Sequence, residues 1–169
     1  SPIIIRNSII NSSTTISAEN YSALVKNSVL TGQSDLSDDT IIDFIDTIFY
    51  SQSPFSTWNN AKVNQLHTIQ IDSQLNGISI YAEYEITSVY SNGSTTKTTV
   101  AGTTILHQIY TNIQSNYLGQ VQLSSLEINS NSPGLPEKSV TFDTSEQWAI
   151  GTLIVIQLED NAPPEVEFV

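Results

Sequence analysis

The spacing of the apolar residues changes along the chain, and its first clear pattern is that of a helix. Six apolar side chains follow the i, i+3, i+4, i+7 spacing of an amphipathic helix. They are Ile41, Ile42, Phe44, Ile45, Ile48 and Phe49. Ser37 stands before them as a suitable N-cap, and acidic residues in the first turn would favour the helix dipole. The pattern predicts one short α-helix over about 38–50.

From Leu66 onward the apolar residues alternate with polar ones, which is the period of β-strands. Asn76-Gly77 and Asn92-Gly93 lie between alternating stretches and predict two hairpin turns. The alternation shifts by one residue at Ser124-Ser125, which predicts a β-bulge. Regular alternation returns over 148–158. This part of the chain is therefore expected to consist of paired strands.

The N-terminal stretch 1–18 reads as an extended arm. Ile3, Ile5 and Ile9 share one parity and would face the same way on a strand. The Ser/Thr-rich stretch 12–15 is a candidate hinge. We expect an arm over 1–18 followed by a single domain over 19–169.

Seven to nine strands, counting the arm, with one helix and no convincing internal repeat predict a mainly β fold. The expected architecture is an immunoglobulin-like, pilin-like β-sandwich with a short helix and an extended N-terminal strand. A jelly roll is the alternative topology.

The amino-acid composition excludes several classes of function. Ser, Thr, Asn and Gln contribute 67 of the 169 residues, three times the 22 charged ones. Five Lys and Arg against 17 Asp and Glu, a net charge of −12, do not provide the cationic surface that nucleic acids require. With no Cys, the chain has neither disulfides nor thiolate metal ligands.

Candidate catalytic and metal-binding residues each have a simpler structural explanation. His67 and His107 could form a two-histidine metal site, but histidines in strands are more often hydrogen-bonded structural residues. Glu83 and Glu85 share the polar face of a strand and, together with another carboxylate, could imitate a glycosidase pair, but a solvated sheet face is the simpler explanation. The acidic residues over 38–46 could bind Ca²⁺ but lack EF-hand spacing. We expect no catalytic residue, metal or cofactor.

Three sequons and one aromatic residue are candidates for contacts with carbohydrate. The sequons Asn11-Ser-Ser, Asn20-Tyr-Ser and Asn92-Gly-Ser are potential N-glycosylation sites in an exported chain. Trp58, in a polar loop, is the aromatic residue most suited to stacking on a sugar.

Export is expected for two reasons. The sequence starts at Ser1-Pro2 and contains no Met, which is compatible with a cleaved signal peptide. It also lacks an apolar run of membrane-spanning length. We expect an extracellular or cell-surface location.

The Ile-, Ser-, Thr- and Asn-rich, Lys-poor and Cys-free sequence, with its arm SPIIIRNSII and its sequons, resembles the archaeal thread pilins. These are glycosylated β-sandwich subunits joined head to tail by donor-strand complementation, like chaperone–usher pilins. The resemblance implies that Ile3, Ile5 and Ile9 enter a groove of the next subunit and that some of Asn11, Asn20 and Asn92 carry glycans. It implies a non-enzymatic subunit of a surface filament for adhesion or cell contact.

Two other functions fit the same sequence. A viral coat or decoration protein shares the expected sandwich, acidity and arm. A secreted carbohydrate-binding module would use Trp58. An enzyme is the least favoured class, because the sequence shows no nucleophile–base pair or metal-ligand group.

Overall fold

The computed structural model describes residues 3–12, 14–116, 119–143 and 152–159, and over these residues the chain is all β. The strands are β1 Ile3–Arg6, β2 Ile9–Ile10, β3 Thr14–Glu19, β4 Ser22–Lys26, β5 Val29–Leu30, β6 Gln33–Ser37, β7 Ile41–Ile45, β8 Ile48–Phe49, β9 Phe55–Thr57, β10 Lys62–Leu75, β11 Ile78–Ile80, β12 Ala82–Tyr90, β13 Thr95–Gly102, β14 Thr104–Ser115, β15 Gly119–Asn131, β16 Lys138–Asp143 and β17 Leu153–Leu158.

The first nine strands form three stacked rungs of a β-solenoid. β1–β3, β4–β6 and β7–β9 are successive rungs, and each rung supplies one strand to each of three parallel sheets. In the longest sheet Ile3 lies beside Ala23, Ser22 beside Ile41, and Ile41 beside Lys62. Equivalent positions are therefore 20, 19 and 21 residues apart. This spacing is the internal repeat that the sequence analysis did not detect.

The repeat is clearest at the first corner of each rung. The three corners are Asn7–Ile10, Asn27–Leu30 and Asp46–Phe49, each with Asn or Asp, then Ser or Thr, then two apolar residues. The Asn or Asp has a φ of 51°, 50° and 49° respectively. Asn and Asp tolerate this left-handed conformation better than other non-glycine residues. They therefore turn the chain without interrupting the stack.

The hydroxyl residue that follows fixes the same corner in all three rungs. Ser8, Ser28 and Thr47 each donate a side-chain hydrogen bond to the carbonyl two residues earlier, at 2.9, 3.0 and 3.1 Å. Backbone bonds then join successive corners, from Val29 N to Ser8 O at 2.8 Å and from Ile48 N to Ser28 O at 2.9 Å. The polar groups of each corner thus form hydrogen bonds within the corner and with the next rung. Partial burial of the corner therefore costs little free energy, because these groups are not left without hydrogen-bond partners.

The predicted helix over 38–50 is wrong. Ile41–Ile45 and Ile48–Phe49 are strands, and Asp46 is the left-handed corner between them. Ile42 and Phe44 alternate into the solenoid core, as strand residues do. The corner then shifts the alternation so that Phe49 also packs on this core. Two short alternations separated by a corner produce the same spacing of apolar residues as a helix.

The predicted β-sandwich is also wrong. The described residues between 3 and 66 form the solenoid. Strand β10 covers the last rung by pairing with β7 and continues into an antiparallel sheet with β14. The longest path through this sheet runs β1-β4-β7-β10-β14-β15-β12-β13, with β11 and β17 on β10 and β16 on β15. Of the three solenoid sheets, the one formed by β1, β4 and β7 is thus continuous with the C-terminal strands.

The C-terminal part of this sheet bends over its own core. Strand β15 pairs with β14 at its start and with β12 and β16 further along. Ser124 is the extra residue between the partners of Val89 and Tyr90, which confirms the predicted bulge. Bulges increase local bending. The hairpins at Asn76-Gly77 and Asn92-Gly93 are confirmed by the antiparallel pairs β10–β11 and β12–β13.

Two apolar clusters correspond to the two parts of the sheet. The solenoid core contains the packed rings of Phe44, Phe49 and Phe55, whose centroids lie 4.9–5.2 Å apart. In the C-terminal core the Tyr84 hydroxyl donates to Ser73 Oγ at 2.9 Å, and Ser73 Oγ lies 2.8 Å from Ser130 Oγ. Burial raises the pKa of Tyr84, which favours the protonated, donating phenol.

Candidate functional sites

The first rung exposes one edge of the solenoid. In the described part of the chain, β1 pairs with β4, β2 with β5, and β3 with β6, and no strand pairs with their opposite edges. Ile3 is 50% exposed although its neighbour Ala23 packs on the solenoid core. Ile5, Ile10 and Ile16 are partly buried against the same core. The end of the stack is therefore an apolar surface bordered by unpaired strand edges.

The three isoleucines predicted for a donor strand do not share one face. Ile3 and Ile5 have the parity of Ala23 and Val25, which belong to the core side of the neighbouring strand. Asn7 then turns the chain, and Ile9 lies on the outer side of β2, 78% exposed. Ile10 takes the inward position beside Leu30.

The other end of the same sheet is also an open edge among the described residues. β13 pairs with β12 and ends the strand path that begins with β1. All of Thr95–Thr99 is exposed, and Lys97 Nζ makes an ion pair with Glu85 Oε1 at 3.1 Å. The longest strand path through the sheet therefore ends at two edges that no described strand covers, a parallel-type edge at β1 and an antiparallel-type edge at β13.

The three sequon asparagines are exposed. Asn11 follows β2 and accepts a hydrogen bond from Thr31 Oγ1 at 3.0 Å. Asn20 has a φ of 58° at the corner after β3. Asn92 lies in the β12–β13 turn, where its Oδ1 accepts bonds from the backbone and the hydroxyl of Ser94 at 3.0 and 2.6 Å.

Trp58 lies beside an open groove of about 430 Å³ on the outer face of β3 and β6. The groove is lined by Ser17, Ala18, Glu19, Asp35, Leu36, Ser37 and Trp58. Strand pairing places Asp35 between Ser17 and Ser56, and Glu19 beside Ser37. The Trp58 backbone N donates to Leu36 O at 2.9 Å, which holds the residue next to the second rung, with the side chain 62% exposed.

The two histidines have different surroundings. His67 is 6% exposed at the junction of the solenoid and the C-terminal sheet. Its Nδ1 lies 3.5 Å from Asp46 Oδ1, and its Nε2 lies 3.1 Å from Thr152 Oγ1. Asp46 also accepts bonds from Thr68 N and Thr68 Oγ1 at 2.7 and 2.6 Å. His107 lies on β14, where burial lowers its pKa.

The carboxylate–imidazole–hydroxyl order at His67 is also the order of a nucleophilic triad. Here both oxygens of Asp46 are bonded to Thr68, and the Asp46–His67 separation is long for a hydrogen bond. The group joins a solenoid corner, strand β10 and the start of β17. We interpret it as a structural link between the two parts of the sheet.

The remaining acidic residues mostly have structural partners or solvent-exposed positions. Asp38 and Asp39 accept hydrogen bonds from Asn59 and Asn60 of the next rung, at 2.7 and 3.1 Å. Glu83 and Glu85 are exposed on β12. Within the described ranges, no three His, Asp or Glu side chains are grouped so that they could hold a metal ion.

Two groove residues, Glu19 and Asp35, escaped the sequence analysis, which singled out Trp58 alone. They are separated along the chain but lie on neighbouring rungs of the same sheet. The signal that could have identified them is the corner that ends each rung, where Asn20, Asp38 and Asn59 all have a positive φ. Aligning these three corners also aligns the residues that precede them, Glu19, Ser37 and Trp58.

These features define an all-β protein in which a three-rung β-solenoid continues into a bent, mainly antiparallel sheet. Comparison of the chain with family models, curated proteins and solved structures found no match. The part of the chain that the structure describes contains no helix that could span a membrane.

Proposed function

We propose that this protein is a structural subunit of an extracellular filament, assembled head to tail from copies of the same chain. The observation that supports the proposal most directly is the path of the main sheet, which begins at the free edge of β1 and ends at the free edge of β13. A strand edge on one copy could pair with the opposite edge on the next. Such a contact is heterologous, and it extends into a filament when the rotation between successive copies does not close a ring.

The apolar end of the solenoid is more stable in contact with a second copy of the chain than in contact with water. Open strand edges beside apolar side chains are unfavourable on an isolated soluble domain and promote pairing with another chain. Ile3, at 50% exposure, would become buried when a second copy covers the first rung. The contact adds a strand by β-augmentation and differs from the expected donor-strand insertion, because β1 remains paired with β4 in its own subunit.

The surface is compatible with a filament outside the cell. The three sequon asparagines are exposed, so glycans could be attached without disturbing either core. Asn92 is near the proposed β13 contact, in the turn that precedes this strand. A glycan there would have to project away from the neighbouring subunit.

The proposal is tested by Ile3→Glu, with Ile9→Glu as the matched control. Both residues are exposed isoleucines of the first rung, but Ile3 lies on the end of the stack and Ile9 on its outer side. Ile3→Glu should abolish assemblies seen by negative-stain microscopy and light scattering, because the contact would bury a carboxylate against the apolar end of the solenoid. Ile9→Glu should assemble as the parent does.

A crosslinking experiment tests the two edges directly. The chain has no Cys, so single cysteines can be introduced without competing thiols. Ile4 lies on the face of the sheet opposite the core, as do Thr95, Lys97 and Thr99 of β13. Ile4→Cys protein should therefore form disulfide-linked dimers when mixed with a Thr95→Cys, Lys97→Cys or Thr99→Cys variant, and Ile9→Cys protein should not. Monomers under all conditions, or assembly unchanged by Ile3→Glu, would contradict the proposal.

A further inference from the structure

We propose that the groove beside Trp58 is a binding site for a neutral oligosaccharide. The groove combines an exposed indole ring with hydroxyl and carboxylate side chains on a rigid sheet face. Sugars present an apolar face of C–H groups and a rim of hydroxyls. A pocket for them therefore needs an aromatic surface and a few fixed polar groups.

The solenoid positions these groups more firmly than a loop would. Ser17 and Asp35 are neighbours across β3 and β6, and Glu19 and Ser37 are the next such pair on the same outward face. The inward residue between them, Leu36, is fully buried in the solenoid core. The polar side chains are thus anchored to packed strands, so little ordering is required when a ligand binds.

The two carboxylates in the groove determine which class of sugar it can bind. Glu19 and Asp35 accept hydrogen bonds from ligand hydroxyls, and no Lys or Arg lines the groove. The chain also carries a net charge of −12. Sulfated or uronic-acid glycans would be repelled by these carboxylates, whereas neutral hexose or N-acetylhexosamine chains would not. The site is independent of the proposed filament contact, because it lies on the outer side of the rungs.

Calorimetric titration of the full chain tests this site with tetrasaccharides of glucose, mannose and N-acetylglucosamine, and with a hyaluronan tetrasaccharide as the anionic comparison. At least one neutral tetrasaccharide should bind saturably, and hyaluronan should bind more weakly. Trp58→Ala should weaken binding about tenfold, the loss expected for one aromatic stacking surface. Tyr50→Ala is the control, since Tyr50 is 71% exposed but does not line the groove.

Asp35→Asn separates the effect of charge from that of shape. The amide keeps the size and a hydrogen-bonding oxygen of the carboxylate, so the neutral ligand should still bind while hyaluronan binds better than before. Thermal unfolding of each variant should match the parent, which shows that a loss of binding is local. No binding of any neutral tetrasaccharide, equal binding by Trp58→Ala, or a preference for hyaluronan would overturn the proposal.

Discussion

His107 shows how a single residue couples protonation to the stability of the fold. Burial on β14 lowers its pKa below the ordinary value of 6.5. The unfolded chain therefore takes up this proton at a higher pH than the folded chain does. The contribution of His107 to the free energy of unfolding is complete above pH 6.5 and decreases as the pH falls below 6.5 toward the lower folded-state pKa.

Replacing His107 should remove this dependence. His107→Gln has no titrating group, so its free energy of unfolding should change less than that of the parent between about pH 7 and about pH 5. Denaturant unfolding of both proteins across this range measures the difference, and the carboxylates common to both cancel in the comparison. Parallel pH profiles for the two proteins would show that His107 titrates alike in the folded and unfolded chains.

At the scale of the structural element, the corner residue determines whether a rung can turn. Asn27 has a φ of 50°, and its side chain is exposed. Its backbone N donates to Ile45 O at 3.0 Å, which joins the second rung to the third. The identity of this residue therefore acts mainly through the backbone conformation.

Asn27→Ala should lower the free energy of unfolding by about 1 kcal/mol, because alanine is less stable in the left-handed region. Asn27→Gly is the control, since glycine adopts this conformation without steric strain and should lie closer to the parent. Chemical denaturation of the three proteins gives the order. An alanine variant as stable as the parent, or a glycine variant less stable than alanine, would contradict a role in turning the chain.

At the scale of the whole molecule, β10 couples the solenoid to the C-terminal sheet. Its first residues pair with β7, and its residues 62–72 pair with β14. It also contributes Val63 to the solenoid core and Ile69 and Ile71 to the C-terminal core. Loss of one core should therefore destabilise the other.

Phe44→Ala removes one ring of the phenylalanine trio and should cost about 3–5 kcal/mol. We expect a single unfolding transition in parent and variant, with amides of β7 and of β12 losing protection together in hydrogen exchange. The measurement is native-state exchange read by mass spectrometry. Ile86→Ala, in the C-terminal core, is the reciprocal variant. If Phe44→Ala lowered the protection of β7 and left that of β12 unchanged, the two parts would be independent.

The sequence predicted the fold better after Leu66 than before it. Among the described residues after Leu66, the hairpin turns and alternating strands were predictable because Asn-Gly turns and alternation are local signals, and the bulge at Ser124 is visible as one shift in that alternation. The first residues of the alternating stretch predicted over 148–158 lie outside the described residues. In the first half, the corner at Asp46 placed two short strands in a helix-like spacing. The spacing of apolar residues cannot distinguish a helix from two short strands separated by a corner. The difference lies in the hydrogen-bond partners, which for a solenoid strand are about 20 residues away in the sequence.

The candidate sites also include features that a local sequence pattern reveals and features that depend on packing between rungs. Trp58 could be singled out from its polar loop, and the sequons from their three-residue pattern. The groove around Trp58 could not be predicted, because Glu19 and Asp35 come from other rungs. Nor could the outward position of Ile9, which depends on the left-handed turn at Asn7.

By itself, the sequence determined the mainly β character, the acidic and hydroxyl-rich surface, and the residues able to turn the chain, since these follow from composition and local conformational preference. The tertiary structure alone decided that the described residues up to 66 stack as rungs, that the longest strand path ends at free edges at β1 and β13, and that Trp58 borders a groove with two carboxylates. Those features depend on register between strands about 20 residues apart, and register is a property of packing rather than of any local pattern.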